Sequence, residues 1–371
     1  MSEYLRLFTY IPYAVFAVTV AMFVLRLRRR WWQKALWTAW LAFCCAIYLA
    51  FRHLGHANMC PEFPEKLIWF WSWAYCGAMA LSVLAVGCLY RFRRWEVVLP
   101  LVAWGLAAWG LWNGVKPPCV NEIELRFANL PAELDGYRLV QISDIHASTA
   151  LRAWRTRAIV DIVNALDADL VCLTGDYADG IAAKYHDILE PIKNLRAKDG
   201  VWAVAGNHEW FGFHADWWLW YAKWGLRFLE NECVFPRRSL ALGGVNDLEI
   251  KLPRYNFAKE RYPDVAKAFA AATNGEFRIL LDHQPLNMRE NLTRHGVNLQ
   301  LSGHTHGGVM PGMASVVKAC NGGFVRGLYR AGDAVLYVNP GCGQSAGFLM
   351  RFFVPTEVTL FTLRRATSVA E

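Results

Sequence analysis

Acidic residues are scarce in the first third of the chain. Residues 1–120 contain four Asp or Glu residues against twelve Lys or Arg, whereas residues 121–371 contain 27 of each. The formal net charge of +8 therefore arises in the N-terminal part alone. Because the rest of the chain is balanced and has no Lys/Arg stripe, the electrostatic footprint of a nucleic-acid-binding protein is missing. Nucleic acid is not expected as a partner.

The chain also lacks internal repeats and low-complexity tracts, which excludes a repetitive architecture. Charged residues are missing from the interior of four apolar stretches, near residues 7–25, 35–51, 67–90 and 96–115. A transport path through a membrane usually needs such a residue. A transporter with an accessory domain therefore has little support.

The four apolar stretches have the length of membrane-spanning helices, roughly 17–25 residues each. A cleavable signal peptide has a single short apolar run, which four runs do not match. Tryptophans crowd the ends of the stretches, as in the interfacial belt of spanning helices; they are Trp31, Trp32, Trp69, Trp71 and Trp95. Residues 1–116 are therefore predicted to form a four-helix transmembrane region, in preference to the buried helices of a soluble protein.

Loop charge predicts the orientation of these helices, because cationic loops stay cytoplasmic. The second loop, residues 52–66, is balanced. The first and third loops are cationic through Arg26, Arg28, Arg29, Arg30 and Lys34, and through Arg91, Arg93 and Arg94. We therefore expect an integral protein of the cell inner or plasma membrane, with both the N-terminus and the C-terminal domain on the extracytoplasmic side.

Cysteine spacing leaves two disulfides open. Cys60 and Cys119 both fall just outside the membrane on the predicted outer face, and Cys320 and Cys342 form a second candidate pair. An oxidising compartment would permit either bond. Free thiols are an equal alternative, because spacing alone does not give connectivity.

The rest of the chain alternates strand and helix patterns. Lys116-Pro117-Pro118 ends any helix, so residues 117–134 are predicted to be a linker leading into a domain over 135–371. Strand-like runs lie at 137–143, 169–174, 201–205, 277–282 and 297–302, and helical patterns near 151–166, 183–197, 214–225, 260–273 and 286–294. This alternation predicts a layered α/β fold. Later runs at 239–245, 334–338 and 358–363 lack long helices between them, which predicts an antiparallel portion.

Nearly every predicted strand ends in a polar cluster. The clusters are Asp144-Ile145-His146, Gly175-Asp176, Gly206-Asn207-His208-Glu209, His283, and His304-Thr305-His306. The carboxyl ends of strands are where α/β sheets place their sites. Carboxylate, amide and imidazole groups suit Mn, Fe or Zn rather than Cu(I) or an iron–sulfur cluster. Asp176 is the natural bridge between two ions, since neighbouring cations stabilise its charged form.

These motifs, in this order, resemble those of the calcineurin-like metallophosphoesterases. The resembling motifs are Asp144-Ile-His146, Gly175-Asp176-Tyr-Ala-Asp179, Gly206-Asn207-His208-Glu209, His283 and Gly303-His304-Thr-His306. The tail also resembles the family's membrane-associated or exported bacterial branch, in Gly327-Leu-Tyr329, Asn339-Pro-Gly341 and Arg351-Phe-Phe-Val-Pro-Thr-Glu357. The resemblance covers residues 135–364 and implies a sandwich of two mixed sheets flanked by helices.

The same resemblance implies two divalent metal ions. It implies one ion held by Asp144, His146, Asp176 and His306, and a second held by Asp176, Asn207, His283 and His304. His208 would lie beside the substrate phosphate as the catalytic residue. Asp179 would orient a ligand, and Glu209, where many relatives have Asp, is not expected to bind metal. His186, His214 and His295 match no motif and are expected at the surface or on helices, while His53 and His56 flank the membrane.

An aromatic stripe follows the third motif. Trp217, Trp220, Tyr221 and Trp224 share one face at helical spacing. Either this face packs against the sheets, or Trp217, Trp220 and Trp224 contact membrane lipid or a lipid substrate, since tryptophan favours membrane interfaces.

The sequence thus predicts a membrane-anchored dinuclear-metal phosphoesterase. Its substrate would be a phosphodiester, pyrophosphate or phosphomonoester, in a small molecule or, more in keeping with the predicted anchor, in a lipid or envelope metabolite. Membrane lipids are the other expected partner, and the oligomeric state stays open. The rival hypothesis is an inactive membrane sensor or scaffold that keeps the fold, but such a protein would carry a degraded ligand set, and none of the motif positions is lost.

Overall fold

The computed structural model describes residues 3–27, 29–54, 63–88, 95–210, 214–273, 275–310, 312–344 and 349–366. Within it the chain divides into two compact units. The helical unit comprises residues 1–116 together with 347–352, and the α/β unit comprises residues 117–346 and 353–371.

The helical unit contains α1 (Glu3–Met22), α2 (Trp31–Leu54), α3 (Glu65–Cys88) and α4 (Trp95–Val115). Small residues let α3 and α4 pack closely: Ala74, Ala78, Ala103 and Ala107 are fully buried. A Cβ at Gly77 would lie 2.3 Å from Nε1 of Trp104, so this contact requires glycine. Residues 349–352 also belong to this unit, where the amide of Arg351 donates to the carbonyl of Gly110.

Only two of the four helices have the length and apolarity of membrane spans within the described residues, Glu65–Val86 and Val97–Val115. The prediction of four spans is therefore met in part: four helices form, but α1 and α2 do not qualify. Tryptophan, Gln33 and Lys34 make α2 less apolar than a typical span. Arg28 of the first cationic loop, and Arg91, Arg93 and Arg94 of the third, lie outside the described residues.

The α/β unit is built on two six-stranded sheets. The first has the order β1-β12-β2-β3-β4-β5 and the second β10-β11-β9-β8-β7-β6. The strands are β1 (Cys119–Phe127), β2 (Arg138–Ile142), β3 (Leu170–Thr174), β4 (Val201–Val204), β5 (Arg227–Phe228), β6 (Glu232–Arg237), β7 (Leu240–Gly244), β8 (Phe277–Leu281), β9 (Leu299–Ser302), β10 (Gly327–Ala331), β11 (Ala334–Val338) and β12 (Glu357–Arg365).

Both sheets are mixed, as the family resemblance implies. Strands β2 to β5 are parallel, whereas β12 runs antiparallel to β2. In the second sheet β7, β8, β9 and β11 are parallel, and the edge strands β6 and β10 pair antiparallel to their neighbours. The predicted antiparallel portion is thus confined to the sheet edges and to β12.

The alternation of side chains along the strands builds three hydrophobic layers. In β3, Leu170 and Cys172 face the core between the sheets, while Val171 and Leu173 face the helices on the outer side of the first sheet. Those helices are α5 (Ala153–Ala165), α6 (Ala182–Leu189) and α8 (His214–Lys223), and α9 (Val265–Ala268) and α10 (Met288–Arg294) lie near the second sheet. The remaining helices are α7 (Asn207–Trp210) and α11 (Met313–Cys320).

Two segments differ from the sequence prediction. Residues 119–127, predicted as part of a linker, form β1, which pairs in parallel with β12 over nine residues. The predicted helix over 260–273 is reduced to the four residues of α9, preceded by 3-10 turns over Pro253–Arg261. Asp264 begins α9 by accepting a hydrogen bond from the amide of Lys267, and Pro263 stands directly before it, where a longer helix would need to continue.

The candidate Cys320–Cys342 disulfide is not formed. Cys320 is an exposed free thiol, and the buried thiol of Cys342 donates to the carbonyl of Ser143 at 3.1 Å. The Cys60–Cys119 pair stays a prediction, and the thiol of Cys119 donates to the carbonyl of Thr356. Its candidate partner Cys60 lies outside the described residues.

Candidate metal centre

The polar clusters predicted from the sequence meet at the carboxyl ends of β2, β3, β4, β8 and β9. Backbone hydrogen bonds join the loops that carry them: the amide of Asp144 donates to the carbonyl of Gly175, and the amide of His146 to that of Asp176. The amide of Gly303 donates to the carbonyl of His283 in the same way. The loops therefore form one connected layer above the sheet edges.

The backbone of this layer is held in an unusual conformation. Eight non-glycine residues adopt positive φ in the described part of the chain, and five belong to the predicted site: Asp144, His146, Asp176, His304 and His306. Each such residue costs on the order of 1–3 kcal/mol, and strain of this kind collects at functional sites. Two glycines make room for the carboxylates, since a Cβ at Gly206 would lie 2.2 Å from Asp176 Oδ1 and one at Gly303 would lie 2.3 Å from Asp144 Oδ2.

A first group of ligand atoms comprises Asp144, His146 and His306. The Nε2 atoms of the two imidazoles are 3.1 Å apart, and Nε2 of His306 lies 3.4 Å from Asp144 Oδ1. Metal–ligand bonds of about 2.0–2.2 Å place neighbouring ligand atoms roughly 3.3 Å apart. The spacing of this group therefore suits one divalent ion.

A second group comprises Asp176, Asn207, His283 and His304. Nε2 of His283 lies 3.2 Å from Asp176 Oδ2 and 3.2 Å from Asn207 Oδ1. Nδ1 of His304 lies 2.7 Å from the same amide oxygen. Oδ2 of Asp176 is also 3.6 Å from Nε2 of His146 in the first group. This one carboxylate oxygen thus faces both groups, as a bridging ligand must.

The hydrogen bonds behind the ligands leave the correct ring nitrogens available. Nδ1 of His283 donates to the carbonyl of Thr174 at 2.6 Å, which leaves the lone pair of Nε2 directed at Asp176. Nδ1 of His146 donates to Asp179 Oδ1 at 2.9 Å, with the same result for its Nε2. Partners of this kind fix the tautomer of metal-binding histidines. The donor set therefore fits two divalent ions, and it contains no thiolate.

Electrostatics in the site reflect the same crowding of acids and imidazoles. Burial alone would raise the pKa of Asp176, but the imidazoles of His283 and His208 hold it well below its usual range. Burial, reinforced by the charge of His283, lowers the pKa of His304 to about 4. His304 is therefore neutral at physiological pH, which is the form that binds a metal.

His208 and Asp179 form a pair beside the two groups. Nδ1 of His208 donates to Asp179 Oδ1 at 2.6 Å, and its Nε2 lies 4.0 Å from Asp176 Oδ2. Asp179 Oδ1 therefore accepts from both His208 and His146. Burial opposes the charged imidazole of His208, but the carboxylates of Asp176 and Asp179 raise its pKa above the usual value. Asp179 thus orients two imidazoles at once, more than the sequence predicted for it.

Glu209 holds the loops together, a role that the sequence analysis did not assign. Its Oε2 accepts from the amides of Asp176 at 2.9 Å and Gly206 at 2.7 Å, and its Oε1 accepts from the amide of Tyr177 at 2.9 Å. The hydroxyl of Tyr221 lies 3.4 Å from Oε1. Glu209 is buried and ties the loop after β3 to the loop after β4. A carboxylate two residues after Asn207 was the only signal in the sequence.

At Trp217 the aromatic stripe packs inward, which favours the alternative that this face packs against the sheets over the alternative that it contacts lipid. Trp217 is 3% exposed, donates from Nε1 to the carbonyl of Gly180 at 2.8 Å and stacks on Tyr221. Trp220 and Trp224 are partly buried against the same core. The bond to Gly180 supports the loop that carries Asp179, which explains the inward orientation.

The histidines outside the motifs lie on helices or directly after them, wherever the structure describes them. His186 lies on α6, where its ring stacks on Trp220 at 4.0 Å. His214 begins α8, and His295 follows α10. His53 lies in the last turn of α2, whereas His56 lies outside the described residues.

Comparison with known proteins finds a matching sequence profile and several relatives. Residues 137–308 match the sequence profile of the family described as calcineurin-like phosphoesterase. The chain is 33% identical to a transmembrane protein with metallophosphoesterase domain from Danio rerio, covering 74% of this chain and 64% of that one. It is 27% identical to the uncharacterized metallophosphoesterase YkuE of Bacillus subtilis, covering 78% of this chain and 94% of that one. It is also similar to a solved dimetal phosphatase from Danio rerio, with a TM-score of 0.38 and 12% identity over 57% of this chain and 89% of that one. The chain thus spans less than two thirds of the length of the first of these relatives.

Proposed function

The chain belongs to the calcineurin-like phosphoesterase family, and on that basis we propose that it is a membrane-anchored dinuclear-metal phosphoesterase. The observation that carries this proposal is the meeting of two groups of ligand atoms at Oδ2 of Asp176, with every ligand position of the family present. Two divalent ions in such a site supply Lewis acidity toward phosphoryl oxygens and a water of lowered pKa.

The residues of the chain prepare the site for an in-line displacement. Asp144, His146 and His306 would hold one ion, while Asn207, His283 and His304 would hold the other, and Asp176 would be shared. The buried loops keep these side chains in one geometry before substrate arrives, so little reorganisation accompanies the reaction.

His208 is suited to act on the leaving group. Asp179 fixes its Nδ1, so that Nε2 faces the space beside Asp176. The neighbouring carboxylates raise the pKa of His208 against the effect of burial, which favours the protonated form of the ring. A protonated imidazole at this position stabilises negative charge on the phosphoryl group and donates its proton to the departing oxygen.

We further propose a lipid or envelope phosphoester as substrate, with the α/β unit on the extracytoplasmic side. Two apolar helices in the described residues and the name of the Danio rerio relative support membrane association. An enzyme held at a bilayer meets amphiphilic phosphates at high local concentration. The balanced charge of residues 121–371 favours such a substrate over nucleic acid.

Metal analysis and a substrate screen on the purified full-length chain test this function. We expect two transition-metal ions per chain and metal-dependent hydrolysis of at least one phosphomonoester, phosphodiester or nucleotide-linked lipid. His295→Gln is a matched control, because His295 is a histidine of the same unit outside the site. Bound metal without hydrolysis of any of these classes would instead favour the inactive sensor or scaffold.

A further inference from the structure

An apolar helix face beside the metal centre is left uncovered. In α11, Met313, Val316, Val317 and Cys320 recur at the spacing that puts them on one face. None of the eight residues of α11 is buried, and Val316 is 46% exposed. An amphipathic helix in a soluble domain normally hides such a face against its core. Here the described part of the chain does not cover it.

Two more apolar side chains of the α/β unit are exposed. Phe353 is 70% exposed and Leu328, on the edge strand β10, is 43% exposed. Phe353 also adopts a φ of +60°, which is a true outlier for a bulky residue. Phe353 therefore combines a largely exposed aromatic side chain with a backbone conformation that asparagine or glycine would adopt with less strain. Met313, Val316 and Val317 of α11, together with Phe353, are called the apolar rim.

The apolar rim flanks the loop that carries a predicted metal ligand. Gly307 and Gly308 directly follow His306, and both have positive φ. A Cβ at Gly308 would lie 2.7 Å from the Cα of Ala314 in α11. A Cβ at Gly307 would lie 2.8 Å from Val354 and 3.0 Å from Cδ of Arg326. The glycine pair is thus in close contact with α11 on one side and with the Phe353–Val354 segment on the other.

Cationic groups accompany the rim. Arg326 donates from Nη1 to the carbonyl of Phe353 at 3.1 Å, and Lys318 is exposed on α11. An apolar face with Lys and Arg at its border suits an amphiphile that combines hydrocarbon with negative charge. A purely polar phosphoester would have no contact to make with the exposed Phe353.

We propose that the apolar rim receives the hydrocarbon chain of an amphiphilic phosphoester whose phosphorus lies at the metal centre. This inference rests on the proposed phosphoesterase function and names the substrate class for the same site. The ligand is a lipid-like phosphoester with an apolar chain on the reacting phosphate or close to it. The apolar rim replaces the tryptophan stripe as the lipid-facing surface.

Two esters that differ only in their alkyl group test the proposal. Methyl 4-nitrophenyl phosphate and hexadecyl 4-nitrophenyl phosphate share the scissile bond and the chromogenic leaving group. The full-length chain, in phosphatidylcholine nanodiscs, is expected to show a higher kcat/KM for the hexadecyl ester. The double variant Val316→Gln and Phe353→Asn should lower the hexadecyl-to-methyl ratio about tenfold, because apolar surface is no longer buried against the chain. Its activity on the methyl ester should persist.

The control variant carries changes of the same kind elsewhere in the unit. Leu219→Gln and Phe235→Asn alter side chains that are 72% and 44% exposed, on α8 and on β6, the edge strand opposite β10. The ratio should stay within about twofold of the wild-type value in this variant. If the rim double variant loses methyl-ester activity through misfolding, the single variant Phe353→Asn is measured instead, because asparagine tolerates positive φ. A fall in its hexadecyl-to-methyl ratio supports the rim, and an unchanged ratio overturns it.

The outcomes separate the two proposals. Hydrolysis of both esters with an unchanged ratio in the rim variants would overturn the rim and leave the phosphoesterase intact. An equal fall of the ratio in the rim and control variants would also overturn it, because general surface apolarity would then be the cause. Hydrolysis of neither ester by the metal-loaded wild-type chain would refute the rim, whereas the phosphoesterase is refuted only if the wider substrate screen also finds no hydrolysis.

Discussion

Removing the carboxylate of Glu209 should loosen the metal centre without touching a metal ligand. Glu209 accepts three backbone amides, from Asp176, Tyr177 and Gly206. A hydrogen bond to a charged group contributes about 1.5–3 kcal/mol, and a buried donor left without an acceptor costs a similar amount. Glu209→Gln keeps one oxygen, which can serve Asp176 and Gly206, but places an amide N–H₂ against the amide of Tyr177. Glu209→Gln should therefore lower the free energy of unfolding by about 2–3 kcal/mol. Glu209→Ala leaves all three amides without an acceptor and should lower it by about 4–6 kcal/mol.

Thermal unfolding and metal content measure this effect. For a domain of this size, 1 kcal/mol shifts Tm by about 2–4 °C, so Glu209→Gln should lower Tm by roughly 5–10 °C and Glu209→Ala by more. Metal content should fall in the same order, because the loop that carries Asp176 loses the acceptor for the Tyr177 amide in Glu209→Gln and the acceptors for all three amides in Glu209→Ala. Glu290→Gln is the control, since Glu290 is an exposed carboxylate paired with Arg294, and it should cost less than about 1 kcal/mol. A Glu209→Ala chain with wild-type Tm and full metal content would refute the role of Glu209 in holding the two loops together.

Other substitutions test the remaining assignments. His208→Ala should lower kcat by about 10²–10⁴-fold with metal content preserved; loss of both ions from this variant would mean that His208 is a ligand. Asp179→Asn should weaken metal binding by about 10–100-fold, because Asp179 orients His146; an unchanged metal titration would contradict this role. Trp217→Phe removes the hydrogen bond to Gly180 and should cost about 1 kcal/mol, whereas a selective loss of activity on lipid would revive a lipid contact there. An alkaline phosphatase fused after residue 120 should be active, and a silent fusion beside an active cytoplasmic reporter would reverse the orientation.

The sequence reveals the candidate site well because each of its parts is local. Asp144 and Asp176 each stand two residues beyond the end of a strand, so strand patterns alone bring them to one edge of the sheet. The loops then need little more than glycine and backbone hydrogen bonds to position the side chains. The convergence of the clusters follows from parallel pairing of β2, β3 and β4.

Features that depend on partners far away in the sequence are harder to predict from local sequence patterns. β1 has only two buried side chains in nine residues, and its partner β12 begins at Glu357, far along the chain from Cys119. Such an edge strand has a weak local pattern, and for this reason residues 119–127 read as a linker.

Periodicity also leaves the environment of a helix face undetermined. The stripe of α8 and the face of α11 both follow helical spacing, yet Trp217 is buried and Val316 is exposed. Trp217 faces inward because its Nε1 donates to the carbonyl of Gly180, which lies far from it in the sequence. For Glu209 the sequence placed a carboxylate next to His208 but gave no sign of the three amides that surround it.

The number of metal ions bound by the full-length chain, before and after Asp176→Asn, shows whether one carboxylate serves two ions. Oδ2 of Asp176 faces both groups of ligand atoms. A shared carboxylate therefore predicts two ions per wild-type chain, loss of both ions from the variant, and loss of hydrolysis with them. A chain that binds a single ion, or that loses only one in Asp176→Asn and still hydrolyses phosphoesters, would contradict a shared carboxylate at a dinuclear centre.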